Sequence, residues 1–349
     1  MARGLRRHAG VRRLLPLLVF LAACAAGTPQ KPAVTVRLGF FPNITHAPAL
    51  VGLEQRLFEK ALGPEVTLEL KSFNAGPAAV EALMSGALDV TYIGPNPTLN
   101  AYARSKGAAV RVLAGACSGG AALVVRPEIA TAADLLGKGV ASPQLGGTQD
   151  VALRTWLTGQ GYRVALQGGD VSVLPQDNAQ ALDAFRAGTL AGAWLPEPWA
   201  SRLVREGGGR ILVDERALWP EGRFVTTHLV ARTEWLTANP ALARKLVVAH
   251  LDALDLIAAR PDEARAAANA RIEKVTGKPL GVELLTAAWT GLEFTADPLA
   301  RTLAVSADNA AKLGLLRPIE VPLAGLWALD PLNAALAARG RPAMSAAVP

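Results

Sequence analysis

From Val34 onward apolar and polar positions alternate: VTVRLGFF places Val34, Val36, Leu38 and Phe40 on one face at period two, which predicts a β-strand. VTLELKSF repeats the signal. PAAVEALMSG then puts Ala79, Val80, Leu83 and Met84 at helical spacing and stops at Gly86, and DVTYIG returns to strand before running into PNP. Strand, helix and strand joined by short connections predict a parallel α/β arrangement. The middle of the chain renews it. Thr131 is expected to cap a short helix through Leu136, GVAS is a strand, and ASPQLGGTQDVALRTWL (141–157) opens a helix. VSVLP is again a strand, DNAQALDAFRAG a helix, and LAGAWLPEPWA a strand turning into another helix. Beyond Asn239 the stretches from ALARKLVVAHLDALDLIAA to Leu316 read as alanine-rich helices packed around a lobe already built. Residues 340–349 read as a frayed tail, and no internal repeat is seen.

The N-terminus has a different pattern. MARGLRRHAGVRR carries five arginines and no acid, and LLPLLVFLAA supplies an apolar core of about ten residues, too short for a membrane span of roughly 20. It ends in Leu21-Ala22-Ala23-Cys24, which resembles a bacterial lipobox. The expectation is a lipoprotein signal peptide over residues 1–23, cleavage before Cys24 and a diacylglycerol thioether on its sulfur. An ordinary secretory leader is the alternative. Residues 24–33 form a tether, and the mature chain is expected at the outer face of the cytoplasmic membrane.

This leader also accounts for the charge. The whole chain has 36 basic and 29 acidic residues, a formal +7, but residues 1–23 hold five of the former and none of the latter. The mature protein is near neutral. No basic cluster with interleaved aromatics follows, so nucleic acid is not an expected partner. With Cys24 lipidated, Cys117 stands alone, which excludes an intramolecular disulfide; metal-site spacings are absent as well. The remaining residues exceed what one compact core usually holds, so two lobes are expected.

An open parallel sheet binds ligands beyond the carboxyl ends of its strands. Five strand-end loops have unusual composition: FPNITHAP (41–48), NAGP (74–77), GPNP (94–97), LGGT (145–148) and LPEPW (195–199). Several helix N-termini would then face one crevice, each with partial positive charge and unpaired N–H groups suited to an anion or polar head group. LGGT resembles a phosphate-binding loop without its lysine. Gly146 and Gly147 would let backbone approach a ligand closely, and Thr148 would cap the helix or donate its hydroxyl. A plain strand-to-helix connection, with glycine serving only the turn, is the alternative for any one loop.

The order FFPNITHAPALVGLEQ, NAGPAAVEALMSGALDVTYIGPNP, TAADLLGKGVASPQLGGTQDVALRTWL and WLPEPWA resembles the nitrate/sulfonate/bicarbonate group of ABC-transporter substrate-binding proteins, the aliphatic-sulfonate binders most of all. The resemblance spans Val34 to Leu316. It implies a type II periplasmic-binding fold, two α/β lobes joined by two crossovers and closing on a ligand, with crossovers near Leu123 and Leu229. Lobe 1 would comprise 34–122 plus 229–316, lobe 2 123–228, and 317–349 a C-terminal helix and tail. The implied ligand shell is Asn43 and His46, Gly76 and Pro77, Gly94 and Asn96, then Gly147, Thr148 and Gln149, with Glu197, Trp199, Thr227 and His228. Gly146-Gly147 before Thr148 departs from many relatives, leaving open whether the hydroxyl or only the amide reaches the ligand. The implied partners are a small anion and the permease and ATPase subunits of an importer. The chain is expected to be a monomer, without cofactor or metal.

Structural roles compete for several of these residues. His228 beside a crossover and His250 on an apolar helix face suit packing, and Trp194 and Trp199 suit closing a hydrophobic layer as well as stacking on a ligand. Glu197 would repel a sulfonate, so it is expected to brace backbone N–H groups. An enzyme is not expected, since GxSxG, HExxH, paired carboxylates and cysteine–histidine clusters are absent from the sequence. A lipoprotein scaffold is a further alternative. Sulfonate, nitrate, bicarbonate, taurine-like zwitterions and thiamine-precursor pyrimidines all suit such a crevice.

Overall fold

A computed structural model describes Met1, residues 34–166 and residues 168–346. The leader cleavage, the lipidation of Cys24 and the tether over 24–33 lie outside the described residues. Eleven strands follow in order: β1 Val34–Phe40, β2 Val66–Ser72, β3 Val90–Ile93, β4 Val110–Gly119, β5 Ala121–Val125, β6 Gly139–Ser142, β7 Ser172–Pro175, β8 Gly192–Pro196, β9 Arg210–Asp214, β10 Val225–Arg232 and β11 Leu292–Phe294. They form two sheets, β11-β4-β10-β3-β1-β2 and β7-β6-β8-β5-β9.

Both sheets are mixed: parallel pairs occupy one side of each, while β3-β10-β4-β11 and β8-β5-β9 pair antiparallel. β1 runs parallel to β2 and β3, in register from Val34 opposite Val66 and Leu38 opposite Val90. β6 is likewise parallel to β7 and β8. Parallel strands need crossover helices, and those helices cover both faces, so inner strands lose the polar alternation of a half-solvated strand. All four residues of β3 and all five of β8 are buried, whereas the edge strand β2 alternates. Alternate strand residues enter different cores. Val36, Leu38 and Tyr92 pack with the helices Ala47–Glu54 and Pro240–Ala259 on one face; Ile93, Val112 and Val230 pack with Pro95–Arg104 and Ala300–Lys312 on the other. The second sheet is sandwiched the same way, Leu123, Val140 and Trp194 on one side, Val124, Ala141 and Leu195 on the other. His250 is core, between the Tyr92 hydroxyl at 2.9 Å and the Gly115 carbonyl at 2.8 Å.

The two passages between sheets lie ahead of Leu123 and Leu229. The first is Gly119–Gly120, both at positive φ (81° and 76°), and a Cβ on Gly120 would come within 2.0 Å of the Leu292 side chain. Only glycine fits that turn, so β5 already belongs to the second sheet at Ala121. The second passage ends at Val225, where β10 begins pairing with β4. Thr131 and Asp134 form a capping box on the short helix Ala132–Leu135, as expected.

The frayed tail is corrected. Asn333 and Met344 exchange two hydrogen bonds, of 2.8 and 3.1 Å. Arg339 reaches Asp252 and Asp255 at 2.7 and 2.6 Å, and Arg341 also meets Asp255. These cations tie the last described residues to the helix Pro240–Ala259.

Candidate functional site

Loops from both sheets meet around a small cavity of about 40 Å³, lined on one side by Asn43, Thr45, His46, Asn74, Gly76 and Gly94 and on the other by Gln144, Gly147, Thr148, Gln149 and Asn178, with Thr226 and Thr227 from β10. Apart from β10, these follow the carboxyl ends of β1, β2, β3, β6 and β7, as an open parallel sheet dictates. Among the described residues, none that lines the cavity carries a charged side chain. Its electrostatics come from backbone. The helices Gly76–Met84, Pro95–Arg104, Thr148–Gly159 and Asn178–Arg186 begin here, and none has a side-chain cap at Ala75, Gly94, Gly147 or Asp177. The dipoles of these four helix N-termini favour negative charge, and all but Pro95–Arg104, whose first and third residues are proline, add several uncapped N–H groups.

The LGGT loop shows how this is built. Gly146 sits at φ +71°, where a Cβ is strained, and it belongs to the turn rather than the cavity wall; Gly147 is the N-cap and does line the cavity. Asp150, fully buried, accepts from Gly146 N at 2.9 Å, Ser142 Oγ at 2.7 Å and Arg154 Nε at 3.0 Å. Arg154 in turn donates to the Ala165 carbonyl at 2.8 Å. This paired carboxylate holds the loop open. Thr148 is the first helical residue rather than a cap, and its hydroxyl has no hydrogen-bond partner among the described residues; a Cβ on Gly94 would lie 2.3 Å from it.

Several other lining side chains also lack partners among the described residues. The Thr227 hydroxyl and Asn178 Oδ1 are buried without a hydrogen bond, and the Thr45 hydroxyl and the Gln144 and Gln149 amides make none. His46 accepts from Phe41 N through Nδ1 at 3.4 Å and stacks on the Phe41 ring at 4.4 Å. Burial pushes its pKa down to about 3, so the ring is neutral and its proton sits on Nε2 as a donor.

Five expected ligands lie elsewhere. Pro77, without an N–H, faces an outer groove with Val80 and Leu145. Asn96 donates to the Ser306 carbonyl at 3.3 Å and so pins two helices together. Glu197 accepts from Ser201 N and Oγ at 3.0 and 2.9 Å, the expected brace, and burial pushes its carboxyl up to about 7. Trp199 donates its indole N–H to Asn43 Oδ1 at 3.0 Å. His228 binds the Pro298 carbonyl at 2.7 Å and meets Trp327 edge-on, while Thr227 beside it lines the cavity; consecutive strand residues face opposite ways. Asn178 and Asn74 were not among the expected ligands. Both sit at strand-to-helix turns, the signal that identified the other loops. Among the described residues no group of three or more His, Cys, Asp or Glu is placed to hold a metal ion.

A taurine-binding periplasmic protein of Escherichia coli (strain K12) is 26% identical over 245 residues, 69% of this chain and 72% of its own. Among solved structures, the alkanesulfonate-binding protein SsuA of Xanthomonas axonopodis pv. citri, bound to MOPS, superposes with a TM-score of 0.70 at 23% identity, covering 86% of this chain and 99% of that one. The periplasmic nitrate-binding protein NrtA of Synechocystis PCC 6803 gives 0.69 at 16% identity, over 88% and 89%. The fold is therefore the two-lobed periplasmic-binding fold, and the relatives matched are themselves binding proteins. The sequence profile of one family matches residues 29–272, which take in the whole cavity lining, and the protein belongs to that NMT1-like family.

Proposed function

We propose that the protein is the exported, lipid-anchored solute-capturing subunit of an ABC importer, and that its solute is a small organosulfonate delivered to a membrane permease. The observation that carries this is a charge-free cavity where neutral hydrogen-bonding groups without protein partners converge with four uncapped helix N-termini. A sulfonate offers only acceptor oxygens, matching the Thr45, Thr148 and Thr227 hydroxyls, His46 Nε2–H and backbone amides. A buried donor left without an acceptor costs about 1–3 kcal/mol, so filling the site favours the form in which both lobes reach the ligand.

Size narrows the solute. The enclosed part of the cavity is small, about 40 Å³, which suits a compact head group with three oxygens. An open groove of about 580 Å³ shares Asn74, Ala75, Pro143 and Gln144 with the cavity and adds Phe73, Ala78 and Pro175. It offers room for a short organic tail. A second reading, nitrate or bicarbonate, suits the same small cavity and leaves that groove unused.

A thermal-shift series on the leaderless protein tests this, with alkanesulfonates, taurine, nitrate, bicarbonate, sulfate and an aminopyrimidine. At a concentration 100-fold above Kd a ligand of the folded state adds about 2.7 kcal/mol, a rise of roughly 4 °C for a chain of this length. The expected result is a rise with alkanesulfonates that disappears in Thr148→Ala/Thr227→Val. A rise with nitrate alone supports the second reading, and no response to any compound overturns anion capture. Mass spectrometry of the membrane-extracted protein tests for the lipid on Cys24.

A further inference from the structure

Trp199 is outside the cavity, yet it touches a residue that lines it. Its indole N–H can only donate, so the atom 3.0 Å away has to be an acceptor, and Asn43 must turn Oδ1 toward it. A side-chain amide has two unlike ends. With Oδ1 engaged, Nδ2 is the end left over, and among the described residues no acceptor takes its hydrogens; Asn43 is 4% exposed and faces the cavity. An amide free to turn over would offer its oxygen to the cavity half-way round, and an oxygen there repels an anion.

Trp199 is itself held in place. The Arg202 guanidinium lies 4.5 Å from the centre of its ring, and Arg202 is fixed by two hydrogen bonds to Glu206, of 2.9 and 3.1 Å. The backbone reinforces the same contact, Ile44 N donating to the Glu197 carbonyl at 3.0 Å. Trp199 follows β8 of the second sheet and Asn43 follows β1 of the first, so the hydrogen bond joins groups from both halves of the cleft.

We infer that Trp199 is a positioning residue, whose indole N–H fixes the Asn43 amide so that Nδ2 is presented to the anion. This rests on the anion-capture reading. Calorimetric titration with ethanesulfonate tests it in Trp199→Phe, which keeps a ring under Arg202 but lacks the N–H, in Asn43→Ala, and in the double variant. Trp199→Phe is expected to weaken binding roughly 2- to 12-fold, the worth of one hydrogen bond, and Asn43→Ala at least as much. The distinguishing result is in the double variant: with Asn43 gone there is no amide to orient, so Trp199→Phe adds nothing. Additive losses, or unaltered affinity in Trp199→Phe, overturn the inference.

The contact also has a readout that needs no ligand. In ¹⁵N-labelled protein the Trp199 indole resonance, identified by its loss in Trp199→Phe, is expected to move in Asn43→Ala. An unmoved resonance overturns the contact even where sulfonates bind. A wild-type protein that binds no anion overturns capture, and with it the purpose assigned to the contact, whatever the resonance does.

Discussion

Replacing Gly94 by alanine isolates the cost of bringing the lobes together. The Gly94 backbone, at φ −74° and ψ 166°, suits alanine, so no strain arises within the loop itself. The difficulty is across the cleft. The new Cβ would lie 2.3 Å from Thr148 Oγ1 and 3.3 Å from the Thr226 carbonyl, where ordinary contact begins near 3.4 Å. About 1 Å must be found, and Thr148 is β-branched on the first turn of a helix, where χ1 has few alternatives. Overpacking of this kind costs about 1–3 kcal/mol. Since Gly94 follows β3 and Thr148 follows β6, that cost is charged to the apposed, ligand-holding form and not to folding of either half. Titration calorimetry is therefore expected to show binding weakened about 5- to 150-fold in Gly94→Ala, with the ligand-free melting temperature within a few degrees of wild type. Adding Thr148→Ala removes the clash and should make the double variant less impaired than the sum of its parts. Unaltered affinity in Gly94→Ala would refute the reasoning, because the cleft would then not close as described.

Asp150→Asn leaves Arg154 buried without its carboxylate, which is expected to cost about 3–5 kcal/mol and lower the melting temperature by roughly 5–8 °C; scanning calorimetry reads it. His46, pushed down to about 3, is neutral at every pH above that, so anion affinity between pH 5 and 8 should show no step that vanishes in His46→Gln, measured by titration at several pH values. Glu197 and Glu215 are both pushed up to about 7 by burial, so the folded protein keeps their protons after the unfolded chain has lost them. Stability from these two is present below pH 4.5 and is lost as pH rises to about 7, on the order of 3 kcal/mol each; urea melts at pH 5 and pH 8 should differ accordingly, and the difference should shrink in Glu197→Gln/Glu215→Gln.

The strands that begin parallel units, β1, β2, β3, β6, β7 and β8, are legible because each precedes a turn and a helix of clear period. β4 is not. VRVLAGACSG is buried almost throughout, so it has no polar alternation, and its small residues resemble a loop. β9 and β11 are short outer strands whose existence depends on pairing with β5 and β4 rather than on local pattern. The candidate site follows the same division. The strand-end rule finds the loops, since it depends on topology, but the side chain that reaches the cavity depends on helical phase and strand face. Asn96 is one position into its helix and turns toward Ser306, whereas Thr148, also at a first turn, meets Gly94. Glu197 illustrates a third case: its charge argued against contact with an anion, and its carboxylate is spent on Ser201.

The absence of charged side chains from the cavity lining also bears on how a captured solute is let go. An arginine or lysine would hold an anion at full strength wherever that one side chain went, and would make capture strongly dependent on ionic strength. Here the attraction is divided among helix ends anchored in different lobes, two following the first sheet and two the second. Helix-end potential fades within about one turn. On the proposed function, parting the lobes by a few ångströms would halve the field without disturbing either framework, and the solute would leave without any ion pair to rupture.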